Sequence, residues 1–300
     1  MVNTLAGGTI MTNKWSIGFI GTGVMGTSIV KHLLKDGHEV HIYSRTKAKA
    51  EPLIELGAKW YGTAGEAAQK SDIIFTMVGF PEDVKEVYFD DHGIFANSKD
   101  GTIVVDMTTS QPTLAKKIAE HAKSVHMEAL DAPVSGGDVG AQNGTLSIMV
   151  GGDKAVFDKV IPLFEVFGEN IVYQGDAGAG QHTKMCNQIA IATNMIGVCE
   201  AIAYGKKAGL DINTVLESIS AGAAGSWSLS NLAPRMVKGD KAPGFYIKHF
   251  IKDMRIALEE AELMHLELPG LTLAKQMYDE LAAKGYDDNG TQALIDFYTK

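Results

Sequence analysis

Three groups of residues in this 300-residue chain have types and spacings that could do chemistry together. The first is Gly21-Thr22-Gly23-Val24-Met25-Gly26. It follows an apolar run over residues 15–20 and precedes a helical pattern, Ile29, Leu33 and Leu34, that ends near Gly37. Strand, glycine turn and helix in that order aim the helix's free N–H groups at a phosphate, so the stretch reads as a nucleotide site. The second group lies on a helix expected from about Gln181 to Ala208, where Lys184, Asn187 and Asn194 recur at spacings of three and seven. Most of that helix is apolar (Met185, Ile189, Ile191, Met195, Ile196, Val198, Ile202), so it should be mostly buried. A buried lysine is costly unless paired or depressed in pKa. Beside a cofactor it is a candidate proton donor to a carbonyl oxygen, with Asn187 positioning that oxygen. The plainer alternative is that Lys184 snorkels to solvent, and His182 ranks second as an acid. The third group, Asp131-Ala132-Pro133-Val134-Ser135-Gly136-Gly137, ends in a hydroxyl and two glycines. Its N–H groups suit a substrate carboxylate, unless it is only a polar turn.

The second strand ends in Ser44-Arg45-Thr46, with no acid where an NAD site usually holds the ribose 2′-hydroxyl. Arg45 can pair with a 2′-phosphate, so NADP is expected over NAD; a solvated surface arginine is the alternative. Asp106-Met107-Thr108-Thr109-Ser110 precedes Pro112 and either touches nicotinamide or caps the next helix. Lys252-Asp253 reads as a surface pair.

The elements that must position these groups follow from periodicity. Strands are expected at residues 17–20, 40–44, 73–78, 103–106, 129–132, 146–150 and 171–173, with helices between the early ones at 81–89 and 112–122. Such alternation builds a parallel sheet covered by helices. Beyond residue 178 only helical periodicity remains. Two domains are expected: residues 1–177, with 1–13 a loose tail, and residues 178–300. The helical part should close over the carboxyl edge of the strands, where ligands of such sheets bind. A formal net charge of -9 without a basic run makes nucleic acid and anionic membrane poor partners. No run approaches the ~20 apolar residues of a membrane span, and residues 1–13 lack the pattern of a signal peptide. Cys186 and Cys199, about 20 Å apart on one helix, cannot pair, which suits a reduced cytoplasmic protein.

Taken in order, Gly18–Gly26, Asp131–Gly137, Gly178–Asn187 and Lys252-Asp253 resemble the β-hydroxyacid dehydrogenase family. The resemblance runs from about Lys14 to near the C-terminus. It implies an α/β fold, a Rossmann-type doubly wound sheet followed by an all-helical C-terminal domain. It implies Lys184 as the catalytic acid/base and Ser135, Gly136, Gly137 and Asn187 as substrate contacts. The cofactor would lie on Gly21, Thr22, Gly23, Val24, Met25, Gly26, Ser44, Arg45, Thr46, Val78, Gly79, Thr109 and Lys252. The family often has Leu-Pro after the fourth strand, where this chain has Val78-Gly79-Phe80-Pro81, so the nicotinamide-side loop departs from the pattern. The activity implied is an NADP-dependent oxidoreductase acting on a small carboxylate-bearing β-hydroxy acid or its semialdehyde, in a homodimer or homotetramer. Imine reductases and non-catalytic nucleotide-binding modules share this architecture, but imine reductases generally lack a lysine at the position of Lys184.

Overall fold

The computed structural model describes residues 14–298; the tail expected over residues 1–13 lies outside them. The strands are β1 (Ser16–Ile20), β2 (Glu39–Tyr43), β3 (Lys59–Trp60), β4 (Ile73–Thr76), β5 (Ile103–Asp106), β6 (Glu128–Asp131), β7 (Val134–Ser135), β8 (Leu146–Gly152) and β9 (Gly168–Gly175). They form one sheet in the order β3-β2-β1-β4-β5-β6-β8-β7, with β9 also paired to β8. Strands β1 to β6 run parallel, and the central ones, β1, β4 and β5, are buried on both sides. Ile17, Phe19, Phe75 and Val105 face one hydrophobic layer, and Ile20, Ile74 and Val104 face the other. Covering both faces is what makes these strands continuous apolar runs.

The sheet is not parallel throughout, contrary to the strand–helix alternation. β7 and β8 pair antiparallel around a short helix, Gly137–Asn143, and β8 therefore meets β6 antiparallel as well. β9 returns parallel to β8. The two strands that periodicity does not reveal, β3 and β7, are two residues long. Two residues are too few to display an alternation.

After β9 the described residues form helices, including Ala179–Lys207, Ile212–Ile219, Ile247–Leu263 and Pro269–Ala283. These enclose a second core around Met195, Cys199, Phe250 and Tyr278. The fold is thus the expected doubly wound domain followed by a helical one. Among the described residues no helix is long and apolar enough to cross a membrane, and both cysteines are free.

The glycine turn lies between β1 and the helix Val24–Lys35. Gly21 has φ +102°, and a Cβ there would overlap the Met77 carbonyl oxygen. At Gly26 it would overlap the Gly21 carbonyl and press on the Phe19 ring at 3.0 Å. At Gly23 it would meet nothing within 4 Å. Gly21 and Gly26 are therefore demanded by the fold, and Gly23 is not. Gly21→Ala should lower the thermal midpoint by several degrees, since strain and overlap together cost on the order of 2–3 kcal/mol. Gly23→Ala should melt within about one degree of the parent protein. Calorimetry of the two variants checks the pair.

Candidate active site

The site is built where β5 and β6 end side by side, with Asp106 opposite Asp131 in register. Asp131 is buried, and its two carboxylate oxygens accept the backbone N–H groups of Gly178 (2.8 Å) and Gln181 (2.9 Å). These begin the long helix Ala179–Lys207, whose own N-cap, Gly178, has no side chain to offer. A carboxylate from the sheet thus caps the helix and meets the positive end of its dipole. Burial raises the Asp131 pKa, and the backbone N–H bonds pull it back. The approach is close: a Cβ at Gly151 would lie 2.7 Å from the Gly180 nitrogen, and one at Gly180 would collide with the Met149 carbonyl. Burial pushes neighbouring Asp106 up to about 6, against hydrogen bonds from Thr76 and Thr108.

The loop after β5 is gripped from the helical domain. Gln181 donates to the Thr108 carbonyl (2.6 Å) and accepts from the Ser110 N–H (2.9 Å). Lys252 Nζ donates to the Thr109 carbonyl (2.8 Å). The Thr108 hydroxyl accepts from the Val78 N–H (3.0 Å). None of these hydroxyls caps the next helix. Its N-cap is Gln111, and Glu260 of the helical domain receives the Thr113 N–H (3.3 Å).

Lys184 does not snorkel; it is 8% exposed. Burial lowers its pKa to about 8, with Asp253 opposing the shift and Lys252 adding to it. The expectation of a surface Lys252-Asp253 pair is corrected. Their side chains are 6% and 2% exposed, and Nζ lies 3.0 Å from Oδ1. Asp253 Oδ2 accepts from Gln188 Nε2 (2.7 Å), and Gln188 Oε1 accepts from the Asn187 amide (2.8 Å). Gln188 and Glu260 escape sequence reasoning, as do the contacts that Gln181 and Asp253 make. A readable signal exists for some: Gln181, Lys184 and Gln188 fall at i, i+3 and i+7, and Lys252, Ile256 and Glu260 at i, i+4 and i+8.

Ser135 ends β7 half-buried, while Gly136 (φ +124°) and Gly137 (φ +60°) are exposed at the start of Gly137–Asn143. That short helix packs on Val24–Lys35, where His32 Nε2 sits 3.0 Å from the Ala141 and Gln142 carbonyls. In the glycine turn Gly23 and Val24 are exposed, and Met25 is half-buried. The first turn of Val24–Lys35 has no side-chain cap, and the buried Thr22 hydroxyl has no partner. Uncapped N–H groups, a free hydroxyl and open space at Gly23 fit a dinucleotide's phosphates. The Ser44 hydroxyl donates to the Thr46 carbonyl (3.3 Å). Arg45 is 80% exposed, with Nη1 3.7 Å from Asp83 Oδ1, a neighbour its sequence context did not suggest. Val78 and Gly79 are half-buried, and the adjacent Phe80 ring packs on His249 of the helical domain, 5.4 Å between centroids.

A doubly wound sheet with an uncapped glycine turn and a buried lysine at its carboxyl edge defines a nucleotide-dependent enzyme. Comparison with known proteins makes the class specific. Residues 16–175 match the family described as the NAD binding domain of 6-phosphogluconate dehydrogenase. Residues 178–298 match that described as NAD-binding of NADP-dependent 3-hydroxyisobutyrate dehydrogenase. An oxidoreductase of Bacillus subtilis (strain 168) is 62% identical over 96% of this chain and 100% of its own length. The 2-hydroxy-3-oxopropionate reductase of Escherichia coli (strain K12) is 40% identical over 93% of this chain and 95% of its own. The structure of Mycobacterium tuberculosis 3-hydroxyisobutyrate dehydrogenase with L-serine superposes with a TM-score of 0.88 at 29% identity, covering 95% of this chain and 99% of that one. The chain belongs to the 3-hydroxyisobutyrate dehydrogenase-like family of NAD(P)-dependent oxidoreductases, which act on CH–OH groups.

Burying Lys184 has a stability consequence. Its folded pKa, about 8, lies below the 10.5 of the unfolded chain, so folding expels a proton between these two pH values and buries a costly ammonium below about 8. Lys184→Met should therefore be more stable than the parent below pH 8, by up to about 3 kcal/mol. The advantage should fade as pH rises from about 8 to 10.5. Urea unfolding of both proteins at pH 7 and pH 10 tests the sign.

Proposed function

We propose that the enzyme moves a hydride between NADP and a small β-hydroxy acid or its semialdehyde, with Lys184 as the proton-transfer group. The observation that carries this reading is a lysine buried at the carboxyl edge of the sheet with its pKa lowered to about 8. The names of the relatives support the substrate class. 3-Hydroxyisobutyrate, 2-hydroxy-3-oxopropionate and L-serine each carry a carboxylate and an oxygen on the β-carbon.

Nicotinamide, when bound, supplies or accepts the hydride. The N–H groups beside Gly21, Thr22, Gly23, Val24, Met25 and Gly26 hold the phosphates, and Ser44, Arg45 and Thr46 hold the 2′-phosphate. Val78, Gly79, Thr109 and Lys252 line the nicotinamide half. Ser135, Gly136 and Gly137 donate to the substrate carboxylate, and the Asn187 amide binds the reacting oxygen. In reduction the Lys184 ammonium stabilises the developing alkoxide and gives it a proton. In oxidation the neutral amine takes the hydroxyl proton.

Two tests follow. Lys184→Ala should lower kcat on the order of 10²-fold with little change in NADPH affinity. In the parent enzyme, kcat/KM for reduction should fall as pH rises through about 8, and that for oxidation should rise over the same range. Near-normal turnover by Lys184→Ala, or parallel pH profiles in both directions, removes Lys184 from the proton transfer. For the cofactor, Arg45→Ala should weaken NADPH roughly 10- to 100-fold, the worth of a charge-assisted hydrogen bond, and leave NADH nearly unchanged. Equal losses with both cofactors would place the 2′-phosphate elsewhere.

A further inference from the structure

Gln181 has no task in the chemistry above, yet its side chain is fully buried at the junction. The orientation of its amide is dictated by its partners. The Ser110 N–H can only donate, so it meets Oε1 at 2.9 Å, and the Thr108 carbonyl can only accept, so it meets Nε2 at 2.6 Å. Both partners lie in the loop after β5. The Gln181 backbone N–H is itself held by Asp131 Oδ2 at 2.9 Å, at the end of β6. One residue of the helical domain is thus bound to two strand ends of the sheet at once. Lys184 follows three positions later on the same helix face, about 4.5 Å along the axis.

We infer that Gln181 is a positioning residue, whose amide sets the placement of the Lys184 amine against the Thr108–Ser110 loop. The inference rests on Lys184 as the proton-transfer group. Three features favour it over a filling role. An apolar side chain would occupy the same volume but leave the Ser110 N–H and the Thr108 carbonyl unpaired, at about 1–3 kcal/mol each. Both bonds end on backbone atoms, so no second side-chain rotamer loosens the link. One turn of helix is stiff, so a shift of Gln181 is passed to Lys184 nearly undiminished. Lys252 fastens the same loop at the Thr109 carbonyl, but from a different helix. Misplacement of a reacting group by ~1 Å costs on the order of 10²-fold in rate.

The test compares Gln181→Met and Gln181→Glu in the full chain. Gln181→Met should lose on the order of 10²-fold in kcat while its Kd for NADPH, read by fluorescence quenching, stays within about twofold. A second readout needs no cofactor: acylation of Lys184 by acetic anhydride against pH, followed by mass spectrometry. In Gln181→Met the acylation midpoint should move up from about 8 toward 10.5 as the amine leaves its seat. Gln181→Glu adds an acid rescue. A protonated carboxyl can donate to the Thr108 carbonyl and accept from the Ser110 N–H as the amide does, whereas a carboxylate repels the carbonyl. Its kcat relative to the parent at the same pH should recover as pH falls from about 8 to 6. Parent-like kcat and an unmoved acylation midpoint in Gln181→Met overturn the inference. So does a Gln181→Glu deficit that is the same at every pH, which decides the matter even if Gln181→Met fails to fold. If Lys184→Ala keeps its turnover, the proton-transfer reading falls, and the acylation midpoint still reports whether Gln181 seats the amine.

Discussion

The Asp131 carboxylate fastens the sheet to the helical domain, and the rest of the junction depends on it. A buried carboxylate costs several kcal/mol unless its lone pairs are satisfied. Here two backbone N–H groups at 2.8 and 2.9 Å and the positive end of a 29-residue helix offset that cost. Because the partners are backbone atoms, the contact determines where the helix begins and how closely it approaches β8. Gly151 and Gly180 are consequences of this: a side chain at either would push helix and strand apart. A long, largely apolar helix could slide or rotate against a sheet. A carboxylate at its first turn pins that end of the helix.

The same junction also buries Lys184, Lys252 and Asp253. Lys252 lies 3.0 Å from Asp253 and bonds to the Thr109 carbonyl, while Gln188 takes the other Asp253 oxygen. With Asp253 engaged in this way, desolvation dominates at Lys184, and its pKa falls to about 8. A lysine in that state detracts from folding stability at neutral pH. Active sites commonly hold groups that a fold alone would not favour.

After β1 the glycine turn divides its work. Gly21 and Gly26 permit close backbone approaches that the fold itself requires, whereas Gly23 opens onto space. Arg45 and Asp83 meet at 3.7 Å on the surface, where an ion pair adds little to stability. Its guanidinium is therefore readily redirected.

Local order was legible in the sequence because it depends on neighbours in the chain. The strand–glycine–helix unit, the helices at Pro81–Phe89 and Pro112–Ser124 and the long helix from near Gln181 all follow from periodicity and turn residues within a short window. The absence of an acid after β2 is likewise visible in Ser44-Arg45-Thr46. The shared face of Lys184 and Asn187 follows from helical spacing alone. What the window could not contain was decided by tertiary structure. Lys252-Asp253 looks like a surface pair until its helix is laid against a loop 143 positions earlier. Gln181 looks like any polar helix residue until Thr108 and Ser110 arrive from 73 and 71 positions away. The direction of β8 depends on its pairing with β7, a strand too short to announce itself. Burial, pKa and hydrogen-bond partners belong to the meeting of elements distant in sequence, so the sequence determined which groups were available and the packing decided which of them act together.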